Sequence, residues 1–154
     1  MASPSGQVAD VVRAPFGRDV IESIIPHRDP FLFVDEVLEL EAGLSAVARK
    51  LVREGEWFLE GHFPGRPIVP GVIMVEALAQ TCAIAVLVKP ENRGKLPLFA
   101  GIDKIRFKRI VSPGDELTFS VEILGGHDRV GKGAVEARVG DQLACRGTLM
   151  FATE

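Results

Sequence analysis

The sequence contains no tyrosine, one tryptophan, two cysteines and three histidines among its 154 residues. Cys82 and Cys145 fall outside any CxxC-type metal spacing, and two cysteines make no disulfide framework. The simplest interpretation is that both are reduced thiols in a cytoplasmic protein. Because the histidines are also scattered, we expect no metal site, and no motif for a nucleotide or other cofactor is present.

Basic and acidic residues are nearly balanced, with 18 lysines and arginines against 21 aspartates and glutamates. The formal net charge is −3, which argues against a general nucleic-acid binder but leaves room for a local basic patch. The start of the chain shows no basic stretch followed by an apolar core, so we expect a mobile tail over residues 1–16 and a single domain over residues 17–154. We expect no membrane span, because the apolar run after Gly71 is interrupted by Glu76 and Gln80.

The most informative stretch is residues 61–88, GHFPGRPIVPGVIMVEALAQTCAIAVLV. Its first half predicts a loop rich in glycine and proline. Its second half predicts a helix over residues 71–88, about 27 Å long at about 1.5 Å per residue. Apolar residues on every side of this helix predict that it is buried, and the four-residue spacing places Val72, Glu76 and Gln80 on one face.

Three groups in this stretch are candidates for chemistry. Glu76 is either paired with a basic residue or a backbone group, or kept protonated by burial and suited to general acid catalysis. His62 is either a loop histidine bonded to backbone or a base held close to that helix. The amide of Gly71 has no partner inside the helix, so it either marks a helix start only or stabilises a developing oxyanion.

The rest of the chain predicts one short helix and a set of antiparallel strands. The helix is expected over residues 18–25, and a hairpin is expected to turn at residues 41–43. A sheet of six strands around one long helix is therefore predicted, and one helix cannot cover all of it, so a partner chain is expected. The strand candidates are residues 31–40, 44–52, 98–110, 115–124, 129–139 and 142–151.

Three segments resemble the bacterial 3-hydroxyacyl-[acyl-carrier-protein] dehydratases of the FabZ type, over residues 20–152. They are PHRDPFLFVDEVLELEAG, GHFPGRPIVPGVIMVEALAQ and FAGIDKIRFKRIVSPGDEL. The resemblance implies an α+β hot-dog fold, a curved antiparallel six-stranded sheet wrapped around one long central helix. Members often carry tyrosine where this chain has Asp29. His27, in the same segment, is interpreted as structural.

The resemblance also implies a reaction, dehydration of a (3R)-hydroxyacyl chain to the trans-2-enoyl thioester. His62 would remove the C2 proton, the Gly71 amide would polarise the thioester carbonyl, and Glu76 would protonate or position the C3 hydroxyl. The substrate would be carried on the phosphopantetheine arm of acyl carrier protein, with no cofactor. The site would be shared across a homodimer, with three dimers forming a hexamer.

A basic segment completes the candidate residues. Lys104, Arg106 and Lys108 alternate with apolar residues, and Arg109 follows them, so the strand face either docks an acidic carrier protein or is simply solvated. Other activities stay open: a hot-dog acyl thioesterase, a dehydratase-isomerase, or a non-catalytic acyl-binding subunit. The isomerase relatives carry aspartate at the position of Glu76, so glutamate favours simple dehydration.

Overall fold

One antiparallel sheet and one long helix make up most of the protein. The computed structural model describes residues 12–127 and 130–154. The helices are α1 (Arg18–Ile24), α2 (Trp57–Glu60) and α3 (Gly71–Leu87), with a 3-10 turn at Pro90–Asn92. The strands are β1 (Phe16–Gly17), β2 (Glu36–Glu41), β3 (Ser45–Leu51), β4 (Pro97–Phe107), β5 (Glu116–His127), β6 (Val130–Val139) and β7 (Gln142–Thr153).

The sheet order is β1-β2-β3-β5-β6-β7-β4, with every neighbouring pair antiparallel. It contains seven strands, one more than predicted. The additional strand is β1, whose two residues pair with Val37 and Glu36 of β2. A strand of two residues is too short to show any alternation of polar and apolar side chains, so the sequence pattern could not reveal it.

The predicted N-terminal tail extends too far into the domain. Residues 1–11 lie outside the described part of the chain. Val12 and Ala14 already pack against the core, and Phe16 is buried within β1. Packed structure therefore reaches at least five residues ahead of the predicted start of the domain at residue 17.

Helix α3 is the centre of the core, as its composition predicts. It packs against β3, β4, β5, β6 and β7, and twelve of its seventeen residues are buried. The fit is close where β6 crosses the helix, because a Cβ atom at Gly133 would lie 2.8 Å from the Sγ of Cys82. No helix in the described residues is long and apolar enough to cross a membrane.

The segment before β2 differs from its prediction. Residues 31–40 read as one strand, but β2 begins only at Glu36. The side chain of Gln80 takes the place of a neighbouring strand, since its Oε1 accepts from the Phe33 amide at 2.8 Å and its Nε2 donates to the Phe31 carbonyl at 2.9 Å. The hairpin itself is confirmed, with its turn at residues 42–44.

A buried ion pair anchors the segment that leads into the loop of residues 61–70. Lys50 of β3 is 3% exposed, and its Nζ donates to Glu56 Oε1 at 2.8 Å. The other carboxylate oxygen of Glu56 accepts from the Arg53 amide at 2.9 Å. A buried lysine is tolerated when it is paired in this way, so α2 and the following loop are fixed to the sheet.

Strand β4 is unusual because it lies at one edge of the sheet and remains open to solvent. Its large apolar side chains Leu98, Phe99, Ile102 and Phe107 are all more than two-fifths exposed. Exposed apolar side chains on an unpaired sheet edge are typical of a surface that another chain covers.

The central position of α3 predicts a large effect of truncation there. Ile84 is fully buried, so Ile84→Ala should lower the free energy of unfolding by about 2–5 kcal/mol. Leu44→Ala is the matched control, since Leu44 is 58% exposed at the hairpin turn and should change stability by no more than about 0.5 kcal/mol. Urea unfolding followed by circular dichroism measures both, and equal effects would contradict a core centred on α3.

Candidate active site

The loop of residues 61–70 holds His62 in one orientation. The His62 carbonyl accepts from the Ile68 amide at 2.7 Å, and the ring Nδ1 lies 2.9 Å from the Ile68 carbonyl oxygen. A carbonyl can only accept, so Nδ1 carries the proton. The ring also stacks on Phe63, with centroids 4.3 Å apart. This arrangement leaves Nε2, which carries the lone pair, as the basic atom of the ring.

Glu76 is a largely buried carboxyl on α3. Its side chain is 16% exposed, and Gln80, one turn later, donates from Nε2 to Glu76 Oε2 at 3.0 Å. Burial raises the pKa of the carboxyl, and the Gln80 hydrogen bond opposes that rise. No arginine or lysine in the described residues forms an ion pair with it. At a given pH, a larger fraction of Glu76 is therefore protonated than of an exposed glutamate.

His27 lies beside this carboxyl, which the interpretation of His27 as structural did not anticipate. Its Nε2 is 3.6 Å from Glu76 Oε2, and both side chains are at least four-fifths buried. Burial, and then the charge of Arg28, lower the pKa of the imidazole. Local spacing gives no signal of this contact, because the two residues come from distant segments.

Glu76 and His27 share an apolar cavity of about 190 Å³. It runs beside α3 towards Ala83 and Val86 and is lined on its other side by side chains of β4 and β7. Neither His62 nor Gly71 lines it. The structure of one chain therefore brings Glu76 together with His27, and not with His62. The lining residues are His27, Glu76, Ala79, Ala83, Val86, Leu87, Pro97, Leu98, Phe99, Phe151 and Thr153.

Gly71 begins α3, directly after Pro70, as predicted. The structure adds a reason for glycine at this position: a Cβ atom here would lie 2.6 Å from the ring of Phe107 on β4. Any side chain would displace that ring. The amide nitrogen of Gly71 makes no backbone hydrogen bond within the described residues, so it is available to an oxyanion.

The basic segment is less regular than its sequence suggests. The register of β4 shifts between Asp103 and Arg106, and Lys104 has a φ of 55°, so simple alternation of faces does not hold there. Arg109 pairs with Asp115 at 3.0 Å. Lys104, Arg106 and Lys108 are exposed and form no ion pair within the described residues, and Arg146 of β7 lies opposite Arg106.

Among the described residues, no group of three histidine, cysteine or acidic side chains could hold a metal ion. The two cysteines are buried and free, and burial raises the pKa of Cys82 to about 12 and that of Cys145 to about 11. Neither thiol is therefore a nucleophile at neutral pH. The candidate groups for chemistry among the described residues are therefore the imidazoles of His27 and His62, the Glu76 carboxyl and the Gly71 amide.

Known structures define the class of fold. A subunit of the dehydratase heterocomplex ApeI:P from Xenorhabdus doucetiae superposes with a TM-score of 0.76 at 17% identity, covering 87% of this chain and 90% of the other. The fluoroacetyl-CoA thioesterase FlK superposes with a TM-score of 0.60 at 20% identity, covering 75% and 88%. At these identities the likeness shows the fold alone, and this is the hot-dog fold with a FabA-like domain over residues 25–148.

The sequence relatives are more specific. A 3-hydroxyacyl-[acyl-carrier-protein] dehydratase FabZ from Chloroflexus aggregans is 55% identical over 132 residues, covering 86% of this chain and 92% of the relative. A FabZ from Moorella thermoacetica is 53% identical over 134 residues, covering 87% and 94%. This chain therefore belongs to the 3-hydroxyacyl-[acyl-carrier-protein] dehydratase family of the FabZ type.

The raised pKa of Glu76 predicts a pH-dependent contribution to stability. Between pH 4.5, the usual value for the carboxyl, and its raised value in the folded protein, the unfolded chain has released a proton that the folded protein retains. The free energy of unfolding contributed by Glu76 therefore falls as the pH rises through this window. Urea unfolding of the wild type and Glu76→Gln over a pH series should show the wild type losing stability relative to the variant. If the difference in free energy of unfolding between the two proteins does not change with pH, the pKa of Glu76 is not raised by folding.

Proposed function

We propose that this chain removes water from (3R)-hydroxyacyl-[acyl-carrier-protein] and yields the trans-2-enoyl thioester, as a hydro-lyase of type II fatty-acid synthesis. The observation that carries the proposal is a buried carboxyl, Glu76, with a raised pKa in the wall of an apolar cavity. The relatives that match most of this chain carry the name of that dehydratase. The acyl chain lies in the cavity, with its reacting carbons beside Glu76.

Each step of the elimination has a candidate group. His62 takes the C2 proton on Nε2, the Gly71 amide donates to the thioester oxygen as negative charge develops there, and Glu76 gives a proton to the departing C3 hydroxyl. The C2–H and C3–O bonds break, the C2–C3 double bond forms, and water leaves. Return of the proton from His62 to Glu76 resets the site. No electrons are exchanged with a cofactor, so these groups suffice.

The site is completed by a second copy of the chain. Within one chain, His62 and Gly71 do not line the cavity that contains Glu76. The exposed apolar edge strand β4 includes Phe107, whose ring covers Gly71, and Phe99, which lines the cavity. A second copy packed on this edge buries these side chains and brings His62 of one protomer to Glu76 of the other. Three such dimers form a hexamer.

One assay distinguishes the proposed dehydration from two other activities of hot-dog proteins. A thioesterase would release free thiol, which a thiol-reactive dye detects, and a dehydratase-isomerase would produce a 3-enoyl thioester. The assay supplies 3-hydroxybutyryl-carrier thioester and follows enoyl absorbance, free thiol and the position of the double bond. Formation of 2-enoyl product without free thiol supports the proposal. Release of free thiol in place of 2-enoyl product would overturn it.

The shared site predicts complementation between two inactive chains. His62→Ala and Glu76→Gln should each lower kcat by about 10²–10⁴-fold as homodimers. A mixed dimer of the two variants has one site with both groups intact and one site with neither. We therefore expect differently tagged, co-expressed chains, purified on both tags, to recover a large part of the wild-type rate.

The comparison with each parent homodimer makes this result decisive. A mixed dimer that is as inactive as its parents would contradict a site built from two chains. Full activity of either parent would contradict the role of the residue that it lacks.

We also propose that carrier protein docks on the basic end of β4. Lys104, Arg106 and Lys108 are exposed and free of ion pairs within the described residues, whereas Arg109 is held by Asp115 and contributes less. Carrier proteins are acidic, so an unpaired basic surface near the site steers them to it. The two free, buried thiols suit a reducing compartment, and we place the reaction in the cytoplasm.

Charge reversal tests the docking surface. The double variant Arg106→Glu and Lys108→Glu should raise KM for the carrier-bound substrate several-fold at low salt, because it repels an acidic partner, and leave kcat unchanged. Lys95→Glu is the control, since Lys95 is exposed ahead of the opposite end of β4. An unchanged KM in the double variant, or an equal rise in the control, would remove the docking proposal.

A further inference from the structure

His27 has an unusual hydrogen-bonding environment. Its Nε2 lies 3.6 Å from Glu76 Oε2, and its Nδ1 is buried with no hydrogen-bond partner in the described residues. Buried polar nitrogens are nearly always paired, so an unpaired one on a ring that touches a functional carboxyl calls for a reason.

The unpaired nitrogen indicates where the imidazole proton lies. A buried N–H with no acceptor is rarer in proteins than an acceptor with an unused lone pair. The proton is therefore on Nε2, and Nδ1 carries the lone pair. Double protonation would add a second buried N–H without an acceptor, and burial and the adjacent Arg28 also lower the pKa of this imidazole. The ring is thus neutral, with its single N–H directed at Glu76.

Gln80 presents a second donor to the same oxygen. Its amide cannot flip, because Oε1 accepts from the Phe33 amide at 2.8 Å while Nε2 donates to the Phe31 carbonyl at 2.9 Å. The Gln80 Nε2 therefore donates to Glu76 Oε2, at 3.0 Å. Two N–H groups face Oε2, and no described residue bonds Oε1. A carboxyl proton cannot share Oε2 with two donors, so it resides on Oε1.

We propose that His27 is a positioning residue that, together with Gln80, reserves Oε2 of Glu76 as an acceptor and keeps the acid proton on Oε1 for the substrate hydroxyl. This inference rests on the proposed role of Glu76 as general acid. When Glu76 gives up its proton, a small rotation of the carboxylate brings Oε2 within hydrogen-bonding distance of the His27 N–H. His27 thereby stabilises the carboxylate that forms during the reaction.

No other titratable group complicates this assignment within the described residues. His27 and Glu76 are the titratable side chains that line the cavity, and Arg28 is the charged neighbour of the imidazole. The remaining lining groups come from α3, β4 and β7 and are uncharged. In the shared site, His62 of the partner protomer is the one further titratable group that we place against Glu76.

Two variants separate the donor from the volume of the ring. His27→Phe keeps a ring but has no N–H, and His27→Gln places an amide N–H where Nε2 was. We expect His27→Phe to lower kcat by about 10- to 100-fold with little change in KM, the effect of losing a hydrogen bond to a charged group. We also expect the pKa of Glu76 to rise, because its carboxylate has lost a donor. His27→Gln should retain most of the wild-type rate and pKa.

The pKa of Glu76 is followed by infrared difference spectroscopy of the protonated carboxyl stretch, with Glu76→Gln identifying the band. This readout does not depend on turnover, so it tests the positioning of Glu76 even if the dehydration itself is not observed. An unchanged Glu76 pKa in folded His27→Phe, or a His27→Gln protein as impaired as His27→Phe, would overturn the inference. If His27→Phe does not fold, His27→Ala is judged by the same measurements.

Discussion

The packing of α3 inside the sheet is the constraint on which the rest of the structure depends. Five strands contact this helix, and ten of its twelve buried side chains are apolar. Placing Glu76 there removes most of its hydration, which raises the pKa of the carboxyl. The stability of the core and the raised pKa of Glu76 thus have one cause, the burial of the same helix.

The polar neighbours of the buried Glu76 carboxyl include no lysine or arginine among the described residues. Gln80 is uncharged, and burial lowers the pKa of His27, so neither neighbour stabilises the charged form of Glu76 as strongly as an arginine or lysine would. Gln80 also fixes the backbone at Phe31 and Phe33, which belongs to the segment that carries His27. Gln80 therefore holds the backbone of the segment that carries His27, and that segment places His27 beside Glu76.

The proposed dimer follows from what one chain leaves incomplete. The cavity contains an acid and an apolar wall but neither His62 nor Gly71, while the neighbouring edge strand exposes a row of apolar side chains. Covering that edge and completing the site are the same event in the proposal. The His62 ring is already oriented by its own loop, through the hydrogen bond of Nδ1 to Ile68, so association has only to bring two prepared halves together.

Local sequence determined much of this protein: the limits of α3 to within one residue, its burial, the shared face of Glu76 and Gln80, the hairpin, and the later strands. These features follow from the spacing of polar and apolar residues along a short stretch. The two-residue strand β1, the contact of His27 with Glu76, the Phe107 ring over Gly71 and the register shift in β4 were decided only by tertiary structure. Each of them joins segments far apart in the chain or depends on the exact pairing of two strands, and neither leaves a periodic signal in the sequence.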